Sequence, residues 1–293
     1  MRFYHAPSRR GLRSGERAGL SWSRVSLPPI EVRDEDDPRL ADYRQLKERH
    51  LNAAGNRFVA ESERVVRRLA GSGLTVHSVL LTPSRLATLG DALGGPFPVY
   101  LAAQPVLDAI AGFHVHRGCL AIGERPPPAP LPRGARALVV AEDLTDVDNL
   151  AALARHAAAF GADGLLLSPR CADPFYRKAI RVSLGAVFSV PVVRARAWPG
   201  DLAALRDDGV AIVGAVVDPD ATPLAGFVPP PRFALLLGAE GPGLSAAARA
   251  ACDHLVTIPM SAGADSLNVA TAGAIFLWAL TQTRVRRPSP DRR

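Results

Sequence analysis

Three short segments of this chain place polar side chains and glycines where a strand gives way to a helix. In residues 142–161, EDLTDVDNLAALARHAAAFG, Asn149 stands at the expected start of a helix and Arg155 six positions on, among Ala, Leu and Phe. Asn149 reads first as a helix N-cap. A guanidinium on an otherwise apolar helix is costly unless paired, so Arg155 is expected to face a cleft or an anion. In residues 235–244, LLLGAEGPGL, an apolar run enters three glycines around Glu240. The spacing Gly238-x-x-Gly241-x-Gly243 is not the dinucleotide GxGxxG, and no P-loop lysine accompanies it. By itself the segment is equally a tight turn with a solvated glutamate. In residues 256–270, Ser266-Leu267-Asn268 heads the last helix, with Ser266 the expected N-cap. The free N–H groups of such a helix start suit a carboxylate or phosphate.

Strands and helices must bring these segments to one place, and the periodicity supplies them. Residues 38–50 read as a helical segment and 62–70 as a helix, with Val65, Val66 and Leu69 at helical spacing. Strands follow at 76–81, 99–101 and 119–122, with helices at 83–93 and 105–111, which together predict a small α/β sandwich. The stretch RPPPAPLPRG over 125–134 can continue neither a helix nor a central strand and marks a linker. Beyond it, strands at 137–141, 164–167, 187–193, 211–217, 233–238 and 255–258 alternate with helices at 149–160, 172–183, 202–208, 245–251 and 266–283. That alternation predicts a parallel sheet covered on both faces, whose ligands bind at the carboxyl ends of strands. The expected division is a disordered basic tail over 1–36, a first domain over 37–124, the linker over 125–134, a second domain over 135–284 and a basic tail over 285–293.

Composition narrows the class. The net charge of +7 suggests a polyanionic partner, but residues 1–30 carry +5 and 284–293 carry +4, which leaves the body at −2. The segment from 44 to 68 is locally basic at +4 and serves equally as a nucleic-acid face or a solvated helical surface. Three cysteines, widely separated and without metal-ligand spacing, argue against disulfides and zinc and for buried reduced thiols. No long apolar run and no secretory leader are evident, so a cytoplasmic protein without a membrane span is expected.

The ordered set NLAALARHAAAFGADGLLLSP, DPFYRKAIRVSLGAVFSVPV, LLLGAEGPGLS and IPMSAGADSLNVATAGA resembles the SpoU/TrmH family of the SPOUT superfamily, RNA ribose 2′-O-methyltransferases. Upstream, NRFVAESERVVRRLAGSG and VLLTPSRL resemble the small domain, similar to ribosomal protein L30e, that many members use to bind substrate. The resemblance implies an α/β protein, an L30e-like sandwich followed by a SPOUT parallel-sheet domain whose C-terminal segment forms a trefoil knot. It implies a homodimer paired through the methyltransferase domain, S-adenosylmethionine as methyl donor, no metal, and ribosomal or transfer RNA as substrate, ribosomal RNA being preferred. By the same match, Gly238, Gly241, Gly243, Ile258, Met260 and Leu267 would hold the cofactor, and Asn149, Arg155, Glu240, Ser266 and Asn268 would form the catalytic set. Arg181 and Ser183 match a further motif that faces RNA or supports the site, and Arg64, Arg67 and Arg68 are the RNA contacts expected from the basic segment of the first domain. The chain departs from the family in having Ala151 where Asn-x-Gly is usual and Ser62 where Glu-Gly is common.

In such a reaction a ribose hydroxyl loses its proton as its oxygen attacks the sulfonium methyl in line with the departing sulfur. Arg155 would be the base or, since a free guanidinium has a pKa above about 12, would instead fix a phosphate and stabilise charge. Two other readings compete: a non-catalytic RNA-binding protein on the same scaffold, and a nucleotide-dependent oxidoreductase, against which the missing GxGxxG weighs.

Overall fold

The computed structural model describes residues 27–44, 56–112, 114–115, 118–128, 130–261 and 265–285, with side chains described to residue 282. The expectations for residues 1–26, for 45–50 of the first helical segment and for 286–293 lie outside the described residues.

Five strands form the first sheet: β1 (Ile30–Val32), β2 (Arg57–Glu61), β3 (Val76–Leu81), β4 (Val99–Ala102) and β5 (Cys119–Glu124), in the order β1-β4-β3-β5-β2. β1 pairs parallel with β4 and buries Val32, so residues 30–32 are an edge strand and not part of a tail. Three residues beside an acidic run are too short to show a period, and only the tertiary pairing defines them. β2 runs antiparallel to β5 in the stretch FVAE ahead of the expected helix. Helices Glu63–Ala70 and Pro83–Leu89 cover one face, and helix Gln104–Ala111 covers the other.

Seven strands form the second sheet: β6 (Ala137–Ala141), β7 (Gly164–Leu167), β8 (Val192–Arg194), β9 (Ala211–Ala215), β10 (Thr222–Pro223), β11 (Phe233–Leu237) and β12 (His254–Thr257). Their order is β10-β12-β9-β11-β6-β7-β8, and every pair is parallel. The side-chain period of two divides each central strand between two cores. Ala137, Val139, Ala141, Phe233, Leu235 and Leu237 meet helices Val147–Ala159 and Val269–Val285 on one face. Leu138, Val140, Ala234 and Leu236 meet helices Asp201–Asp207 and Ala246–Ala250 on the other. Burial on both faces is why these strands read as continuous apolar runs.

The segments between β7 and β8 are shorter than their apolar content suggests. The helix expected over 172–183 is confined to Arg177–Val182, and the strand expected over 187–193 begins only at Val192, its first two residues lying in a 3-10 turn at Ala186–Phe188. The reason is tertiary. Phe175, Ile180, Val187 and Phe188 leave the second sheet's pattern to join the core of the first, where the Phe58 ring packs on Phe188 (centroids 5.3 Å) and on Phe175 (5.4 Å). Arg177 to Glu61 (2.9 Å) and Arg125 to Asp173 (2.6 Å) add ion pairs across the same junction.

Candidate active site

β6, β9, β11 and β12 are parallel neighbours, so their carboxyl ends open on one edge of the sheet. From β11 the chain enters the turn 238–244, closed by the Gly243 N–H donating to the Ala239 carbonyl at 3.0 Å. A Cβ on Gly238 would lie 2.2 Å from the Gly243 carbonyl carbon, so only hydrogen fits there. Gly241 and Gly243 hold φ of 85° and 69°, where a Cβ would meet nothing within 4 Å; they are needed for backbone conformation rather than for space.

Asn149, Glu240 and Asn268, remote in sequence, are joined by hydrogen bonds at the mouth of this turn. Asp146, not Asn149, caps helix Val147–Ala159, its carboxylate accepting from the Asn149 N–H at 2.9 Å. At the last helix the cap is Asn268 rather than Ser266: Asn268 Oδ1 accepts from the N–H groups of Ala270 (3.0 Å) and Thr271 (3.1 Å). With that oxygen engaged, the Asn268 amide nitrogen donates to Asn149 Oδ1 at 2.8 Å. Asn149 must then present its own NH2 to Glu240, and it donates to Oε1 at 2.6 Å. The helix start thus fixes the polarity of the whole chain of bonds and ends it on a carboxylate acceptor.

Behind this chain lies a pocket of about 490 Å3, lined by Gly238, Glu240, Gly241, Gly243, Ile258 and Met260, and by the segment Ser266, Leu267 and Asn268. The structure therefore gathers the six residues expected to hold the cofactor and three of the five expected to be catalytic, and joins Asn149 to them. Val216, Val217 and Phe276 also line it, as does Arg249. None of these was singled out in the sequence; the signal available for the valines was their place at the end of β9, which the sheet sets beside β11. Arg249 is paired with Asp218, whose carboxyl is held below its usual range by the Asp220 N–H and then by Arg249. Among the described residues no group of three or more His, Cys, Asp or Glu could hold a metal ion.

Beneath the turn sits a residue the sequence reading passed over. Glu142, at the end of β6, is buried and accepts from Trp198 Nε1, Ser245 N and Ser245 Oγ at 2.7–2.8 Å. Its own N–H donates to the Leu237 carbonyl at 2.8 Å, so one residue holds both ends of the 238–244 turn.

Arg155 is not in this pocket. It is exposed and lines a second cleft together with Arg64 and Arg68, while the neighbouring His156 turns its Nδ1 to the Ala270 carbonyl at 3.1 Å. Of the other expected RNA contacts, Arg181 is exposed. Arg67 is engaged by Asp91 at 2.7 Å, and Ser183 is buried with its hydroxyl donating to the Ile180 carbonyl at 3.1 Å. Ser183 therefore supports the turn rather than meeting solvent.

A parallel sheet with a glycine-built pocket of mixed polarity at its strand ends, closed by a directional amide and carboxylate chain, has the form of a small-ligand site. The SpoU rRNA methylase family model matches residues 136–278. A Mycobacterium bovis protein named as an uncharacterized tRNA/rRNA methyltransferase is 40% identical over 264 residues, covering 86% of this chain and 92% of its own. The SpoU methyltransferase AviRb of Streptomyces viridochromogenes, solved with AdoMet, superposes with a TM-score of 0.70 at 25% identity, covering 85% of this chain and 99% of that one. An RNA 2′-O ribose methyltransferase superposes with a TM-score of 0.69 at 25% identity, covering 87% of this chain and 100% of that one. The chain belongs to the SpoU family of RNA methyltransferases.

Proposed function

We propose that this protein transfers a methyl group from S-adenosylmethionine to a ribose 2′-hydroxyl of structured RNA, ribosomal RNA in preference to transfer RNA. The observation that carries the reading is the pocket of turn 238–244 with Ile258, Met260 and residues 266–268, closed at its mouth by the chain Asn268 to Asn149 to Glu240. The donor fits what is present: Leu237, Ile258, Leu267 and Phe276 offer apolar walls to a nucleoside, and the backbone at Gly238, Ile258 and Leu267 offers polar groups for its edge. When bound, S-adenosylmethionine supplies a methyl group activated by sulfonium.

The chain's own residues then have distinct tasks. Gly238 keeps the turn tight against itself, so the wall on that side is preformed. Asn149 and Asn268 orient Glu240, whose second carboxylate oxygen has no hydrogen-bond partner among the described residues and can accept from the ligand or the incoming ribose. Ser266, exposed at the pocket's lip, can donate to the same region. Positioning of this kind contributes to rate without a strong acid or base.

The reading extends to the rest of the molecule. The first half would be the L30e-like RNA-binding domain, and the C-terminal segment the trefoil knot, a view supported by β12 inserting between β9 and β10. Pairing as a homodimer through the second half is supported by the last helix, where Trp278 is 58% and Ile275 37% exposed. A cytoplasmic location accords with an RNA substrate, and no described helix is long and apolar enough to cross a membrane.

Calorimetric titration with S-adenosylmethionine, followed by transfer of labelled methyl groups to total RNA, tests the proposal. Donor binding and label recovered as ribose methylation are expected. Donor binding with no transfer to any RNA would instead indicate a non-catalytic RNA-binding scaffold. Arg155→Ala is expected to abolish transfer and leave donor affinity intact, since Arg155 lies outside the donor pocket.

A further inference from the structure

A cleft of about 1050 Å3 runs between the two halves, walled by helix Glu63–Ala70, by Pro126 and Pro127, by helix Val147–Ala159 and by residues 185–193. The charged residues that line it are Arg64, Arg68 and Arg155, and no Asp or Glu is among its lining residues. Both halves contribute, so the cluster exists only because the two cores are fused at Phe58, Phe175 and Phe188.

Surrounding acids do not neutralise these three cations. Arg67, one position from Arg68, takes Asp91 and, at 3.9 Å, Glu63; Arg177 takes Glu61. Among the described residues Arg64, Arg68 and Arg155 have no carboxylate within ion-pair distance, and all three are exposed. Arg68 is held in place: its Nη1 donates at 2.8 Å to the carbonyl of Leu184, a residue with left-handed backbone (φ 54°). Its guanidinium is pushed below its ordinary pKa by burial first, then by Arg64 and Arg155, which places the three charges within electrostatic reach of one another. Like charges gathered without an acid repel, and the arrangement is relieved by an anion entering among them. Phosphate suits the guanidinium fork, which can present two parallel N–H donors.

We propose that this cleft seats backbone phosphates of the RNA substrate, with Arg64 and Arg68 of the first half and Arg155 of the second as its ligands. The inference rests on the RNA methyltransferase reading and adds where the polyanion lies. Arg155 is then a phosphate ligand at the junction, the role its position outside the donor pocket allows.

The test uses the full chain and a fluorescein-labelled RNA stem-loop, with anisotropy followed across a potassium chloride titration. Each phosphate contact contributes roughly 0.7–0.9 to the slope of log affinity against log salt. Exchanging Arg64 and Arg68 together for Ala is expected to lower that slope by roughly 1.4–1.8 and to weaken RNA binding by about tenfold near 0.1 M salt. Calorimetric affinity for S-adenosylmethionine is expected to stay within about twofold, since neither residue borders that pocket. Because Arg68 also anchors Leu184, Arg64→Glu is the second variant; the Arg64 side chain makes no hydrogen bond among the described residues, so the change acts through charge. It should weaken RNA binding further, while Arg64→Lys should largely restore it. A wild-type protein that binds RNA with a slope unaltered in the double variant and in Arg64→Glu overturns the cleft and leaves the methyltransferase reading standing. A wild-type protein that binds the methyl donor but no RNA overturns both.

Discussion

Glu142 holds Ser245 twice, at its N–H (2.8 Å) and at its hydroxyl (2.7 Å), and Ser245 in turn caps helix Ala246–Ala250 by accepting from the Ala248 N–H. A carboxylate only 3% exposed is tolerable because three donors meet it, the third being the Trp198 indole. It is thus a positioning residue for the wall that carries Glu240. Glu142→Ala would strand the indole and backbone donors and is expected to cost about 3–5 kcal/mol in urea unfolding. Glu142→Gln keeps one acceptor and should fold, but with donor affinity lowered about tenfold by calorimetry. A folded Gln variant with wild-type donor affinity would refute the positioning role.

The bond from Asn149 to Glu240 requires a donor on Asn149, because Asn268 already supplies the other end of the chain. Asn149→Asp keeps the shape and replaces that NH2 by an oxygen, setting two carboxylates 2.6 Å apart. One must take up a proton or both must part. Single-turnover methyl transfer is expected to fall by about 100-fold, with thermal unfolding changed by no more than about 1 kcal/mol. Wild-type turnover in this variant would remove the amide and carboxylate chain from the mechanism.

Two glycines three positions apart should respond differently to the same change. At Gly238 an added methyl would strike backbone at 2.2 Å, which cannot move aside as a side chain would. At Gly241 it would enter open space and cost only the strain of φ 85°, roughly 1–2 kcal/mol. Gly238→Ala is therefore expected to abolish measurable donor binding and Gly241→Ala to reduce it modestly. Equal effects would mean that turn strain, not closeness, is what matters.

Much of this site could be read before the fold was known, for a physical reason. Parallel strands buried on both faces leave long apolar runs, and the polar residues that interrupt them fall at strand ends. Asn149, Glu240 and Asn268 were visible in that way. What could not be read is which atom caps which helix: Asp146 and Asn149, or Ser266 and Asn268, are chemically equal candidates, and only the three-residue hydrogen-bonded chain separates them. The junction was equally hidden. Residues 172–193 look like a regular helix and strand because they are apolar, yet their aromatic residues serve the other half's core. Arg155 followed the same logic: its helix predicted a cleft, and the cations that share that cleft come from a helix some ninety residues earlier.

Ser62, where relatives commonly carry glycine by the sequence resemblance, holds φ 89° and makes no side-chain capping bond at the start of helix Glu63–Ala70. A side chain in that region is strained, while glycine pays only entropy in the unfolded chain. Ser62→Gly is expected to stabilise the protein by roughly 1 kcal/mol in urea unfolding. A loss of stability would show that the buried Ser62 hydroxyl contributes more than its backbone costs.

His156 gives the fold a pH dependence with a definite sign. Its Nδ1 faces the Ala270 carbonyl in the first turn of the last helix, two residues from Asn268. Burial lowers its pKa from the ordinary 6.5; the Ala270 carbonyl opposes this and the Arg155 charge adds to it. With the folded value below the unfolded one, the unfolded chain takes up the proton more readily. Stability from this group is complete above about pH 6.5 and declines as pH falls through the window below it. Urea midpoints measured between about pH 7.5 and 5.5 should fall, and His156→Leu should flatten that limb without changing the alkaline side. Donor affinity reports the folded state alone, in which the imidazole stays neutral to lower pH, so it should begin to weaken only at a lower pH than stability does. An acid limb of equal slope in both proteins would place the titrating group elsewhere.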